Sequence, residues 1–440
     1  MVEGSMYTPG AGHAPPVLAG RDALLHEWRV MLNDAAVMGR VRAQDLILVG
    51  PRGVGKTVTV TALGGLATDQ GFEVVNLQAV VGQAGLIQSL LQRAESRIQN
   101  GAGPWTRTKQ AFERVAGVSV GMAGFSAGLS THGSDASGTS LDAGTLAEAL
   151  ATLATEVRRD TGRGGLLITV DEMQVASQAD LALFAATLHR LNVDHPQSSV
   201  IFAGTGLPHT PDVLRKAGVT HPDRLFVLEP LPLTLSAEDA ALAIVEPALG
   251  VGVNWHPEAV QRVFEASNGY PAHLQLFAHA CWIEAVGPQV VTPEDVARAL
   301  PRAAAQIETR TLGPRWERMP DRQAEFLAAL AVNGGRASSG DLAATLGRPQ
   351  HEWAWIRHSL IEEGDAFSPR RGHLNMAVPL FVPYILSKYE QARRDVSGPG
   401  VLLSLEQMRE NLAQATRGLN QSGGSPPQTS SPLHRQDTET

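Results

Sequence analysis

The stretch GPRGVGKT, residues 50–57, constrains this chain more than any other segment. It follows the apolar run LILV and precedes KTVTVTALGGLATDQ, which we interpret as a helix. The pattern G-x-x-x-x-G-K-[ST], between a buried strand and a helix, directs backbone N–H groups at phosphate oxygens beside the positive helix end. Such a pattern arises at random in a chain of this length with a chance of about 0.02. A phosphate-binding loop in an α/β sheet is therefore predicted.

Each residue of this loop has an expected part in holding a nucleotide. The glycines allow the backbone to turn tightly and approach the phosphates closely. Lys56 is expected to reach the outer phosphates, and the Thr57 hydroxyl to bind Mg²⁺. The residues expected to contact the nucleotide are Gly50, Pro51, Arg52, Gly53, Val54, Gly55, Lys56, Thr57 and Val58.

A second candidate element is LLITVDEMQ, in which an apolar run ends in Asp171 and Glu172. Ligands of parallel sheets collect at the carboxyl ends of the strands, so these acids are expected near the loop. We assign Asp171 to binding Mg²⁺ and Glu172 to polarising an attacking water, and we count Lys56 with Glu172 among the candidate catalytic residues. An acidic strand end without any role is the alternative reading.

Three further polar residues have less specific signals. Thr205 ends the next apolar strand, VIFAGTG, where its hydroxyl could orient the same water or serve only as a turn residue. Arg224 precedes the last strand and is a candidate arginine finger for a neighbouring subunit. Arg215 competes for that role, and an ordinary solvated arginine is the alternative to both.

Strands and helices alternate along residues 19–235. Five apolar strands separated by helices predict a five-stranded parallel P-loop sheet with helices on both faces, hence an α/β core. A Gly-, Ser- and Ala-rich insertion at about 100–142 interrupts the alternation, and its stretch VSVGMAGFSAGLST is a candidate hairpin. Residues 1–18, rich in Gly, Pro and Ala, are expected to be disordered.

Strands disappear after the core. Residues 236–318 have the pattern of an all-α bundle, several of whose helices open with Ser, Thr or His before Pro or an acid. Residues 319–390 are interpreted as three helices followed by a two-stranded ribbon, which is the order of a winged helix. Residues 391–440 are expected to form one more helix and a disordered tail.

Composition sets limits on compartment and partners. The formal net charge is −8, so any nucleic-acid contact must be a local patch. The one cysteine, Cys281, cannot form an internal disulfide or a zinc site and is interpreted as a small buried helix residue. Since no apolar run approaches a membrane span and no signal-peptide pattern opens the sequence, we expect a cytoplasmic protein without membrane contact.

The ordered motifs resemble those of the AAA+ ATPases, specifically the origin-recognition-like initiators and the STAND signalling ATPases. LAGRDALLHEW is similar to the opening element of that family, which implies that Arg21 lines the adenine pocket. SNGYPAHLQLF is similar to the Gly-x-Pro element that opens a lid helix over the nucleotide. This similarity implies that Gly269 and Pro271 are nucleotide-binding residues. The initiators usually place an arginine after this element, whereas this chain has AHL at 272–274, which is closer to the STAND pattern.

The resemblance implies ATP and Mg²⁺ as ligands and ATP hydrolysis as the activity, in a homo-oligomer or with a partner ATPase. It offers two targets. In the first, nucleotide state controls binding of double-stranded DNA through the winged helix, with Arg357 on its third helix and Arg370 and Arg371 at the wing tip. In the second, a STAND-like regulatory ATPase, the winged helix contacts protein. Residues 321–390 carry seven Arg and Lys against eight acids, a near-neutral balance.

Two tryptophans in HEWAWIRH lie two positions apart on the third helix of this unit. Because residues two apart point to different sides of a helix, one of Trp353 and Trp355 is expected in the core and the other at a surface for a partner.

Overall fold

A computed structural model describes most of the chain. The described residues are 4–10, 12–38, 45–80, 85–101, 103–116, 142–285, 289–394 and 402–422. The candidate hairpin and the tail after residue 422 lie outside these ranges.

The centre of the structure is a five-stranded, all-parallel sheet in the order β2-β3-β4-β1-β5. Its strands are β1 (Asp45–Val49), β2 (Glu73–Gln78), β3 (Leu166–Asp171), β4 (Val200–Gly206) and β5 (Phe226–Pro230). β4 is central and buried over its full length, whereas β5 lies at one edge and is only partly covered. The predicted parallel sheet, covered by helices on both faces, is confirmed.

Nine helices of the described chain accompany this sheet. They are α1 (Asp22–Met38), α2 (Lys56–Asp69), α3 (Leu86–Gln99), α4 (Gly103–Arg107), α5 (Lys109–Ala116), α6 (Ala143–Thr161), α7 (Gln178–Asp194), α8 (Thr210–Lys216) and α9 (Pro222–Leu225). Alternate strand residues face opposite sides. In β3, Leu167 packs in the cluster that holds α1 and α2, while Ile168 packs with α6 and α7. The insertion begins with α4 and α5, whose Trp105 and Phe112 are buried in the second cluster.

The second unit is the predicted helical bundle with one addition. Its helices are α10 (Ala237–Leu249), α11 (Pro257–Ser267), α12 (Pro271–Glu284) and α13 (Pro293–Ile307). Between them lies a two-residue parallel pair, β6 (Asn254–Trp255) and β7 (Val290–Val291), which an all-helical reading did not include. Pairs this short leave no periodic pattern in a sequence. We call this unit the lid.

The third unit contains the three predicted helices (α15, α16 and α17), a small antiparallel sheet, and further helices before and after them. After α14 (Gly313–Glu317) come α15 (Asp321–Val332), β8 (Arg336–Ser338), α16 (Ser339–Leu346), α17 (Gln350–Glu363), β9 (Ala366–Phe367), β10 (His373–Met376), α18 (Phe381–Arg394) and α19 (Leu405–Ser422). The sheet order is β8-β10-β9, so it has one strand more than the predicted ribbon. The expected boundary at residue 390 falls inside α18, and the described part of α19 packs on α16 through Asn411, whose Nδ2 donates to the Thr345 carbonyl at 3.2 Å.

The expectation of a disordered N-terminus is wrong for residues 4–10. Tyr7 is buried in the lid, where its hydroxyl donates to the Ile244 carbonyl at 2.6 Å and accepts from Trp255 Nε1 at 2.7 Å. Trp282 Nε1 donates to the Gly4 carbonyl at 3.0 Å. One aromatic anchor outweighs the Gly- and Pro-rich composition around it, because burying such a ring stabilises by about 1.5–3 kcal/mol.

None of the helices in the part of the chain that the structure describes combines the length and the apolar character needed to cross a bilayer. Cys281 is buried in α12 as expected, and burial raises the pKa of its thiol to about 12.

Candidate functional site

The glycine-rich loop lies at the carboxyl end of β1, and α2 begins at Lys56. Gly53 and Gly55 have φ of 78° and 93°, in the left-handed region that residues with a side chain rarely adopt. The Gly50 N–H donates to the Gly206 carbonyl at 3.1 Å, which holds the loop against the end of β4. The loop therefore lies at the carboxyl ends of the strands, as predicted from the sequence.

Lys56 lies within this loop and is 5% exposed. Its Nζ donates to the carbonyls of Gly50 at 2.9 Å and Pro51 at 2.8 Å. Burial lowers the pKa of Lys56, and the carboxylates of Glu172 and Asp171 act in the opposite direction. An ammonium group held against carbonyl dipoles with two acids nearby is suited to binding an anion that reaches the loop.

The acidic strand end meets the loop directly. Thr57 Oγ1 donates to Asp171 Oδ2 at 2.9 Å, and Thr205 Oγ1 donates to Asp171 Oδ1. The backbone N–H of Glu172 donates to Thr205 Oγ1 at 3.1 Å. Three predicted site residues that lie far apart in the sequence are thus joined by hydrogen bonds around one carboxylate, between the ends of β3 and β4.

Glu172 has an unusual backbone. Its φ of 56° is in the left-handed region, which among non-glycine residues of the described chain it shares only with Asn268. This conformation costs on the order of 1 kcal/mol, and such residues cluster at functional sites.

Gln174 was not identified from the sequence, although it stands in the same DEMQ stretch. Its Nε2 donates to Glu172 Oε2, and its Oε1 accepts from the Leu207 N–H at 3.1 Å.

Two residues that lie far from the loop in the sequence contact its backbone carbonyls. Arg21 is 4% exposed, and its Nη2 donates to the Val54 carbonyl at 2.9 Å. Burial lowers the pKa of Arg21. Tyr270, from the lid, donates its hydroxyl hydrogen to the Arg52 carbonyl, and a Cβ on Gly53 would lie 2.2 Å from that hydroxyl oxygen. Lid and loop are therefore in direct contact, through a tyrosine that the sequence did not single out.

The lid element around Tyr270 has the geometry of a tight turn. Gly269 has φ of 65°, and a Cβ there would approach the Leu235 carbonyl to 2.8 Å, so glycine is required. Pro271 occupies the first turn of α12, where a missing N–H costs nothing. His273 is buried, and burial lowers its pKa to about 4. The lid helix therefore presents a neutral side chain at this position.

The two candidate arginine fingers lie apart from the loop network. Arg215 is exposed on α8 and pairs with Asp212 of the same helix. Arg224 is exposed in α9, just before the edge strand β5. The structure does not bring either of them to Lys56 or Asp171 within this chain.

The basic residues of the third unit fall into two kinds. Arg370 and Arg371 are exposed in the turn between β9 and β10, with Arg370 Nη2 at 2.9 Å from His373 Nε2. Arg357 is half-buried instead, and its Nη2 donates to Ser368 Oγ at 2.9 Å and to the His373 carbonyl at 3.3 Å. Arg357 thus holds the base of this turn, which does not fit its predicted place on a free DNA-reading face.

The predicted split of the two tryptophans between core and surface is confirmed, and contact of the exposed one with a partner stays a prediction. Trp353 is buried against Phe326, whereas Trp355 is 58% exposed on the outer side of α17.

The third unit also touches the loop. Arg52 Nη1 donates to the Glu363 carbonyl at the end of α17, at 2.9 Å. Lys216 Nζ lies 3.8 Å from Glu362 Oε1. These contacts join the nucleotide-facing loop and α8 to the last turn of α17.

A parallel sheet with a glycine-rich loop after β1, a Thr–Asp pair beside it and a helical lid defines a P-loop ATPase of the AAA+ class. In agreement, residues 17–202 match the model of the AAA ATPase domain family. Residues 309–385 match a family described as a domain of unknown function (DUF8462). A search of curated proteins found no match.

Solved structures share the fold. The Walker-type ATPase PABY2304 of Pyrococcus abyssi is 15% identical with a TM-score of 0.54, over 84% of this chain and 96% of that one. The ORC2 protein of Aeropyrum pernix, solved as ADPNP–ADP complexes, is 13% identical with a TM-score of 0.50, over 95% of this chain and 100% of that one. The chain therefore has an origin-recognition-like AAA+ fold.

Proposed function

We propose that this ATPase binds ATP with Mg²⁺ between core and lid, and that the bound nucleotide sets the arrangement of lid and third unit, which controls binding to double-stranded DNA. The observation that carries the nucleotide part is the 2.9 Å hydrogen bond from Thr57 to Asp171, beside the buried Lys56. A hydroxyl and a carboxylate at the mouth of a glycine-rich loop are the oxygen ligands that Mg²⁺ uses together with phosphates.

The donor set suits a metal that arrives with its nucleotide. Within the described residues, no group of three or more His, Cys, Asp or Glu side chains could hold a metal ion by itself. Mg²⁺ is usually bound by one or two protein oxygens, phosphate oxygens and waters, which Thr57 and Asp171 fit. When bound, it would neutralise phosphate charge. Lys56 and the loop N–H groups would hold the phosphates, and Glu172, next to Thr205, would polarise the attacking water.

Coupling to the lid is supported by Tyr270. Its hydroxyl bonds to the Arg52 carbonyl, so movement of the loop changes a contact of the lid helix. Arg21 donates to the Val54 carbonyl of the same loop and would line the base pocket. Because His273 is neutral at physiological pH, the lid would sense nucleotide through packing around Tyr270 rather than through a cation on the outer phosphate.

DNA binding is proposed for the third unit as a winged helix. Three helices packed with a three-stranded antiparallel sheet, and Arg370 and Arg371 exposed in the turn between β9 and β10, support this proposal. Phosphate contacts supply most of the affinity of such domains. Arg357 would support the wing from behind, and the exposed Trp355 would lie on the helix that faces the duplex.

A second candidate is a regulatory ATPase whose third unit contacts protein. It is favoured by the hydrogen bond from Arg52 to Glu363 and the pair of Lys216 with Glu362, which place the third unit against the ATPase loop. In this arrangement α17 would clamp one nucleotide state and release a protein-binding surface in the other.

Completion of the site by a second copy is part of the proposal. Arg224 or Arg215, both exposed, would then act across a subunit interface. Mixing Lys56→Ala protein with Arg224→Ala protein tests this. The Lys56→Ala copy would supply Arg224 to the intact loop of the Arg224→Ala copy, so ATP turnover would return.

The experiment that separates the two candidates is a duplex titration at low salt, with Mg·ATP, with Mg·ADP and without nucleotide. Fluorescence anisotropy of a labelled mixed-sequence duplex should show binding that depends on the nucleotide and weakens steeply with salt. If no duplex is bound at low salt in any of the three states, the DNA proposal fails and the protein-facing role replaces it.

A further inference from the structure

The side chain of Gln174 connects the ends of β3 and β4 at the carboxyl edge of the sheet beside the glycine-rich loop, which we call the nucleotide edge. It lies in a short turn, Met173–Val175, directly after Glu172. Its Nε2 donates to Glu172 Oε2, and its Oε1 accepts from the Leu207 N–H at 3.1 Å. Leu207 is 2% exposed and follows β4 directly. One amide thus links the acid after β3 to the buried backbone after β4.

The orientation of this amide follows from chemistry. A backbone N–H can only donate, so the atom that faces Leu207 must be the carbonyl oxygen of Gln174. The NH₂ group then necessarily faces Glu172, whose ionised carboxylate can only accept. The reversed amide would bring two donors together at Leu207 and two acceptors together at Glu172. Gln174 is therefore held as a donor toward one oxygen of Glu172.

We propose that Gln174 is a positioning residue for hydrolysis, which holds Glu172 Oε2 so that Oε1 is left to face the attacking water. This inference rests on the proposed role of Glu172. A glutamate side chain has three rotatable bonds, and holding a water-activating group in one orientation before the reaction lowers the barrier. The left-handed backbone of Glu172 sets where its side chain starts, and the amide of Gln174 sets where it ends.

Two substitutions test the inference. Gln174→Met keeps the size of the side chain and removes both hydrogen bonds, so kcat should fall by about 10- to 100-fold, the range for losing a hydrogen bond to a charged group. KM for ATP should change little, because the phosphate-binding residues are untouched. Gln178→Glu, at an exposed position four residues further on, is the control and should behave like the wild type.

Gln174→Glu adds a second measurement, the pH dependence of kcat, which would not change if Gln174 had only a structural role. When ionised, the new carboxylate repels Glu172, and kcat should fall as in Gln174→Met. When protonated, its carbonyl oxygen accepts from Leu207 and its O–H donates to Glu172, as the amide does. Because two adjacent carboxylates share a proton with a raised pKa, the ratio of variant to wild-type kcat should rise as pH falls from about 8 to about 6.

The outcomes separate this inference from the proposed function. If Glu172→Gln retains wild-type turnover, the role of Glu172 fails and the inference fails with it. If Glu172→Gln is inactive but Gln174→Met matches Gln178→Glu, the inference alone is overturned. A Gln174→Glu ratio that does not change with pH also overturns it, whether or not Gln174→Met folds. Loss in Gln174→Met at unchanged KM, with recovery of Gln174→Glu at low pH, supports it.

Discussion

The nucleotide edge and the proposed wing tip, which is the turn between β9 and β10, both carry charged side chains. These side chains differ in burial and in the contacts that hold them. At the nucleotide edge, Lys56 is buried and Asp171 accepts hydrogen bonds from Thr57 and Thr205, so these groups are held by contacts within the protein. At the wing tip, by contrast, Arg370 and Arg371 are exposed. Preorganised groups act through geometry, whereas exposed cations act through charge that salt screens. Substitutions at the two places should differ in kind as well as in size.

The largest effect is expected for Glu172→Gln. Removing a water-activating carboxylate should lower kcat by about 10²- to 10⁴-fold, while ATP still stabilises the fold as in the wild type. Steady-state ATPase rates and thermal melting with Mg·ATP measure the two quantities. Glu27→Gln, an exposed glutamate on α1, is the control. Weaker ATP binding in Glu172→Gln, at an unchanged rate, would contradict the assignment.

Lys56→Ala should remove nucleotide binding itself. At a hundredfold excess over the dissociation constant, ATP stabilises a folded protein by about 2.7 kcal/mol, and this gain should disappear. The quantity to compare is the change on adding Mg·ATP, since the hydrogen bonds of Lys56 to the loop also affect the stability without nucleotide. Lys109→Ala on α5 should keep the full gain. A gain that persists in Lys56→Ala would rule out the proposed phosphate contact.

At the wing tip, Arg370→Ala with Arg371→Ala should weaken duplex binding about equally for all sequences. The slope of log affinity against log salt should become shallower by about 1.8, since each phosphate contact contributes about 0.9. The charge-matched control is Arg29→Ala with Arg93→Ala, two exposed arginines of the core. An unchanged slope in the wing variant would show that the wing does not meet phosphates.

The smallest effect is expected for Arg357→Met. This variant compares a half-buried arginine of the third unit with the exposed Arg370 and Arg371. Because the guanidinium bonds to Ser368 and His373 at the base of the wing, its loss should lower the free energy of unfolding by about 1 kcal/mol. The salt slope of duplex binding should stay as in the wild type. Denaturant unfolding measures the first quantity, with exposed Arg336→Met as the control. A shallower slope would instead make Arg357 a phosphate contact.

Local patterns explain what could be predicted. The strand before Gly50 and the helix after Lys56 are both specified by adjacent residues, and β3 is an uninterrupted apolar run ending in Asp171. Since strands of a parallel sheet end at one edge, the meeting of Thr57 with Asp171 could be expected as well. The short strands β6, β7 and β8 could not, because two or three residues leave no measurable period.

The sequence by itself determined the phosphate-binding loop, the parallel sheet and the identity of its acidic edge, because each depends on neighbouring residues and on a general rule of sheet topology. Only the tertiary structure decided that Tyr7 is an anchor, that Arg357 holds the turn between β9 and β10, and that Gln174 and Tyr270 reach the nucleotide edge. Each of these depends on contacts between residues distant in the chain or on the direction of a single side chain, and neither is encoded in a local pattern.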